Sequence, residues 1–193
     1  MGTARLFVAV DPPARVREEL IAWARSAMAG LDRSSPLRLL GYDALHVTVC
    51  FLGERPVAEV KSIGAALEEC AMPVGELSIG APLWLPPRRP RALAVEIKDD
   101  GGGLSALHEA VVGALAQASQ GEPRMRHRFT PHLTLARLPG GFAPRERHLE
   151  ATPALSFTPE ALVLYRSRLA PGGASYEALE SAELQSLGSP RGA

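Results

Sequence analysis

The sequence predicts an α+β fold built on antiparallel sheets. Three observations lead there. Short β-prone apolar runs interleave with segments of helical periodicity, but not in the strict alternation of a parallel doubly wound sheet. The last third of the chain is rich in strands. No glycine-rich phosphate loop follows the first strand, as a dinucleotide-binding unit would require.

Taken in order, Leu6 to Val10 reads as a buried strand that Asp11-Pro12-Pro13 ends. Val16, Leu20, Trp23 and Ala27 share one face of a helix over 13–29, with Asp11 in place to cap it and Gly30 to stop it. Leu37–Leu40 and Leu45–Leu52 read as strands, the second bounded by Gly53. A helix is expected over Val57–Cys70 and strands over Glu76–Leu85 and Ala92–Ile97, separated by the turn Pro86-Pro87-Arg88-Arg89-Pro90-Arg91. Leu104, Leu107, Val111 and Leu115 mark a third helix over 104–119. Strands are expected within Phe129–Leu138 and at Ala154–Phe157, Ala161–Leu169 and Tyr176–Glu180. Residues 1–184 are expected to form a single domain, and the small, polar stretch 185–193 a C-terminal tail.

Composition narrows the function. The 193 residues carry 21 basic and 21 acidic side chains, which argues against an obligate polyanion binder while permitting a local phosphate site. Lys61 and Lys98 are the two lysines. The remaining bases are arginines, whose fork grips phosphate in bidentate fashion. Cys50 and Cys70 fit no metal or disulfide spacing and read as small core residues in a reducing cytoplasm. No apolar run approaches the ~20 residues of a membrane helix.

The chemistry concentrates in a repeated pattern. Leu45-His46-Val47-Thr48-Val49 and Pro131-His132-Leu133-Thr134-Leu135 each set His and Thr two apart between apolar neighbours. On a strand, residues two apart share a face, so each His–Thr pair points one way and its flanking apolar residues the other. Chance placement of five histidines and six threonines gives roughly 0.16 such triplets, not two. Opening a cyclic phosphate needs a base to activate water and an acid to protonate the leaving oxygen. Two imidazoles on opposite sides of one phosphorus suit both tasks near neutral pH. Threonine hydroxyls can hold the charge that develops on the phosphoryl oxygens. A core role for each histidine is the competing reading. Zinc is disfavoured, because no carboxylate or cysteine stands at ligand spacing beside either one.

These segments resemble the 2H phosphoesterase superfamily, in its bacterial and archaeal branch of RNA 2′,3′-cyclic phosphodiesterases, also named 2′-5′ RNA ligases. Arg5-Leu6-Phe7-Val8-Ala9-Val10-Asp11-Pro12-Pro13 is similar to that family's opening strand. Residues 45–53 and 129–137 resemble its two signatures, and 164–169 with 172–177 its closing hairpin. The segment Leu39-Leu40-Gly41-Tyr42-Asp43, and Val49 and Cys50, depart from the family's usual residues without touching the catalytic pattern. The resemblance implies a two-lobed fold with pseudo-twofold symmetry, antiparallel sheets lining a central cleft and helices outside. It implies hydrolysis of 2′,3′-cyclic phosphate ends of RNA, or of small cyclic nucleotides, to 2′-phosphates with no metal or other cofactor. A cytoplasmic monomer is expected. His46 is the implied acid and His132 the implied base, although a near-symmetric site permits the reverse.

Other residues carry open alternatives. Arg137 is implied as a cleft or phosphate residue, yet its strand parity sends it to the face opposite His132 unless a bulge intervenes. Phe129 is a candidate to stack on a base, with core packing the alternative. Tyr176 reads as structural. The basic runs Arg124-Met125-Arg126-His127-Arg128 and Arg88-Arg89-Pro90-Arg91 read as RNA guides or solvated loops; His108 and His148 acquire no role. Reversible 2′-5′ ligation of tRNA halves and a non-catalytic RNA-end-binding module are the alternative functions.

Overall fold

A computed structural model of the chain describes residues 2–31, 36–118, 129–139, 149–170 and 173–185. The elements run β1 (Thr3–Val10), α1 (Ala14–Ala29), β2 (Arg38–Leu39), β3 (Val47–Pro56), α2 (Val60–Cys70), β4 (Leu77–Leu85), β5 (Ala92–Lys98), α3 (Gly103–Ala118), β6 (His132–Arg137), β7 (Ser156–Phe157), β8 (Ala161–Ala170) and β9 (Gly173–Glu183). Short 3₁₀ turns at Tyr42–Ala44 and Val57–Glu59 lead into β3 and α2. The expected 185–193 tail falls, apart from Gln185, outside the described residues.

All the described strands pair antiparallel in a nine-stranded sheet ordered β7-β4-β5-β6-β3-β1-β8-β9, with β2 added beside β6. The order is symmetric about its middle: one lobe is β3-β1-β8-β9, the other β6-β5-β4-β7. The two lobes join through a single bridged pair, Val47 opposite Leu133. The two lobes are thus joined at one point, and residues of both line the cleft on one face.

The other face is covered by helices. Leu6, Val8 and Val10 of β1, Val47 and Val49 of β3, and Leu133 and Leu135 of β6 share one buried cluster with Val16 and Leu20 of α1, Ile63 and Leu67 of α2, and Leu104, Leu107, Val111 and Leu115 of α3. Burying each such leucine contributes about 1.5–3 kcal/mol, so this side fixes which face of β3 and β6 is left to the cleft.

The strands and helices fall where the periodicity predicts them, with two local corrections. Asp11 does not cap α1. Pro13 occupies the cap position and no side chain bonds there, because the Asp11 carboxylate is taken by Tyr165 and Arg17. Nor does Gly53 end β3. With φ at 75° it accommodates a bulge against β1, and the strand continues to Pro56. At α3 the cap is Asp99, whose two oxygens accept the backbone N–H groups of Leu104 and Ser105.

Candidate active site

The bridge Val47–Leu133 is the centre of the site. Both of these side chains are fully buried on the helix side. Their neighbours His46, Thr48, His132 and Thr134 therefore turn to the opposite face, and all four line a cleft of about 790 Å³. Carried one residue each way, the antiparallel register sets His46 across from Thr134, and Thr48 across from His132. On that register the histidines lie on one diagonal of the four residues and the threonines on the other, a placement that suits in-line displacement at one phosphorus.

Each motif is followed by the same irregularity. On β3, Thr48 pairs with Ala9 but Cys50 with Val8, leaving Val49 as an extra residue. On β6, Thr134 pairs with Ala94 but Ala136 with Leu93, leaving Leu135 extra. A bulge shifts the alternation of faces by one. The residue five past each histidine thus returns to the cleft: Phe51 in one lobe and Arg137 in the other, both lining it. This resolves the parity conflict for Arg137. It also brings in Phe51, whose ring is 52% exposed although large and apolar. The spacing His-x-Thr-x-x-x was the signal that could have found Phe51.

Both imidazoles are oriented by the carbonyl two residues upstream. His132 donates Nδ1–H to the Thr130 oxygen at 2.8 Å, which leaves Nε2 free for chemistry. His46 is hydrogen-bonded to the backbone of Ala44. The surroundings then diverge. His46 sits deep among rings, with centroids 4.8 Å from Phe7 and 5.0 Å, edge-on, from Tyr176. Burial among them draws its pKa down to about 4. Asp11 and the Ala44 bond oppose the shift; Arg137 and Arg17 reinforce it. Behind His46, the Tyr165 hydroxyl donates to Asp11 at 2.6 Å, and Arg17 reaches the same carboxylate oxygen at 3.0 Å. Desolvation and this carboxylate push the Tyr165 phenol well above its usual range, so it stays a donor.

The remaining sequence candidates divide. Tyr176 lines the cleft and is part of the ring cage, not merely structural. Phe129 does not line the cleft. It stacks face to face on His108 at 4.0 Å and packs on the core, whereas Phe51 lines the cleft. His108 is buried on α3 and bonds the Val49 carbonyl at 2.7 Å, linking the first motif's bulge to the segment before the second motif. Of the two basic runs, Arg91 lines the cleft while Arg88 and Arg89 are exposed; residues 124–128 and His148 lie outside the described residues. Arg5 and Arg38, which sequence reasoning left unassigned, also line the cleft. Among the described residues no three His, Cys, Asp or Glu side chains group as a metal-ligand set, and no helix is long and apolar enough to cross a membrane.

A two-lobed antiparallel fold with one His-x-Thr strand from each lobe defines a two-histidine phosphoesterase framework. The family model described as the 2′-5′ RNA ligase superfamily matches residues 7–170, and the chain belongs to that superfamily. Among curated relatives, the RNA 2′,3′-cyclic phosphodiesterase of Thermus thermophilus is 30% identical over 189 residues, covering 94% of this chain and 90% of the relative. That of Escherichia coli K12 is 30% identical over 134 residues, covering 69% and 71%. Among solved structures, TT0787 of Thermus thermophilus superposes with a TM-score of 0.77 at 26% identity, covering 95% of this chain and 99% of the other. Escherichia coli LigT complexed with 3′-AMP gives 0.76 at 25% identity with the same coverage.

Proposed function

We propose that this protein hydrolyses 2′,3′-cyclic phosphate ends of RNA to 2′-phosphates by metal-independent acid–base catalysis between His46 and His132. The observation that carries the reading is the Val47–Leu133 bridge, which sets the two histidines diagonally across one cleft with a threonine opposite each. The relatives' names and the 3′-AMP complex of LigT support the substrate class.

In the proposed step, Nε2 of neutral His132 takes a proton from water as its oxygen attacks phosphorus. The P–O3′ bond breaks, and His46 gives its proton to the departing 3′ oxygen. Thr48 and Thr134 donate to the non-bridging oxygens, and the Arg137 guanidinium faces the charge that grows there. Phe51 offers a face to the terminal base. Burial holds His46 neutral in the free protein, so its role as acid depends on the substrate. A phosphate monoanion about 4 Å away, at an effective dielectric near 20, contributes about 4 kcal/mol, a roughly thousandfold gain in proton affinity. That raises the pKa of His46 back toward its ordinary value once the cleft is filled, so that the imidazole can carry the proton it donates. The same burial favours the reverse polarity as a second reading, with His46 the base, and a leaving-group substitution separates the two. Both motifs come from one chain, which supports action as a monomer, and the free Cys50 and Cys70 fit a reducing cytoplasm.

The test is turnover of an oligonucleotide ending in a 2′,3′-cyclic phosphate, with EDTA present. Appearance of a 2′-phosphate is the expected result. A 3′-phosphate product, or no turnover without added metal, contradicts the proposal.

A further inference from the structure

The cleft is far more basic than the chain. Positive and negative side chains balance over the whole sequence, yet four arginines and no carboxylate line the cleft among the described residues. Three of the four converge at one end. Arg38 on β2 stands directly opposite Arg137 on β6, and on the other side of β6 Arg137 stands opposite Ala92, next to Arg91. The backbone fixes this end firmly: Arg91 donates its N–H to Leu85 at 2.7 Å and accepts from Leu138 at 2.8 Å, and Leu40 donates to Leu135 at 2.8 Å. Among the described residues none of the three guanidiniums pairs with a carboxylate. Like charges facing each other across strands are destabilising, and an anion bound between them would relieve that cost.

Arg137 is the member nearest the reaction, close enough to act on the charge of His46. Arg38 and Arg91 flank it on either side of β6, at the strand's end, where the backbone is about 10 Å along from Thr134. An anion held there is one step removed from the phosphorus undergoing attack.

We propose that Arg38 and Arg91 form a second phosphate subsite, which takes the 5′-phosphodiester of the terminal nucleotide while its cyclic phosphate lies between His46 and His132. Resting on the phosphodiesterase reading, this makes the preferred substrate an RNA chain end, not a nucleoside 2′,3′-cyclic monophosphate. Neutralised guanidiniums then become part of substrate selection, and binding weakens with salt.

The experiment compares two dinucleotides with 2′,3′-cyclic ends, one joined by a phosphodiester and the other by an uncharged methylphosphonate, on the wild type and on R38A/R91A. The wild type is expected to favour the phosphodiester in kcat/KM by about tenfold, and the double variant to lose that preference. R38K/R91K restores part of it. Turnover of the methylphosphonate dimer reports in each case that the enzyme is folded. A 5′-phosphorylated mononucleotide substrate, run alongside, separates recognition of the charge from recognition of a longer chain: an advantage over the 5′-hydroxyl form that the double variant loses supports the subsite, and no advantage overturns it. Equal wild-type rates on the two dimers, or a preference unchanged in R38A/R91A, overturn the subsite alone. Turnover of neither dimer overturns the phosphodiesterase reading with it.

Discussion

The two lobes present the same frame with different contents. Each supplies a histidine held by the carbonyl two residues upstream, a threonine on the same face, a bulge, and a fifth residue aimed at the cleft. In the first lobe that residue is Phe51, and the histidine lies in a cage of rings that strips it of its proton. In the second it is Arg137, flanked by Arg38 and Arg91, and the histidine ring meets the Thr130 carbonyl on Nδ1. The symmetry builds a clamp for tetrahedral phosphorus. The asymmetry gives the cleft an apolar wall at Phe51 on one side and a cationic wall at Arg137, Arg38 and Arg91 on the other, which under the proposed function would face a base and a phosphate.

The strongest way to break this comparison is to remove each half of the pair. His46→Ala and His132→Ala are each expected to lower kcat by about 10²–10⁴-fold while circular dichroism stays native. A variant with full activity removes that histidine from the mechanism. Thr48→Val and Thr134→Val come next, each about 10²-fold in kcat, as donors aimed at developing charge. Equal losses support a symmetric clamp, and a silent threonine contradicts it. The fifth residues sharpen the contrast. Phe51→Ala raises KM by about ten- to a hundredfold, as loss of a stacked base does, with kcat little changed. Arg137→Ala lowers kcat as well as raising KM, and makes binding less sensitive to salt.

The smallest effect concerns stability. Folded His46 takes up its proton only near pH 4, whereas an unfolded imidazole does so near 6.5. Between these values the unfolded chain binds more protons. This contribution is therefore complete above about pH 6.5 and is lost as the pH falls toward 4, by up to about 3 kcal/mol. Urea unfolding at pH 7 and 4.5 should show the loss in the wild type and a reduced loss in His46→Gln. An unchanged pH dependence contradicts the burial account.

Much of the fold was legible because the core side of each strand is strictly patterned: Val47, Val49, Leu133 and Leu135 announce both strands and their faces. The four central site residues followed from the same parity. What parity could not give was the bulges, since Val49-Cys50 and Leu135-Ala136 read as ordinary apolar steps; Arg137 was therefore ambiguous and Phe51 unassigned. Phe129 misled because an aromatic beside a motif looks alike whether it meets a base or, as here, His108. Asp11 looked like a helix cap because its partners, Tyr165 and Arg17, lie 154 and 6 residues away, beyond any local rule. Arg38 and Arg91 became visible as a pair only through the strands that flank β6.

The division of labour between the two histidines can be read from a substrate whose bridging 3′ oxygen is replaced by sulfur. A thiolate leaves without a proton, so the acid becomes dispensable while the base does not. The account predicts that His46→Ala turns over the sulfur substrate at close to the wild-type rate and that His132→Ala remains inactive on it. Rescue of both variants, or of neither, would contradict an acid and a base placed across one phosphorus.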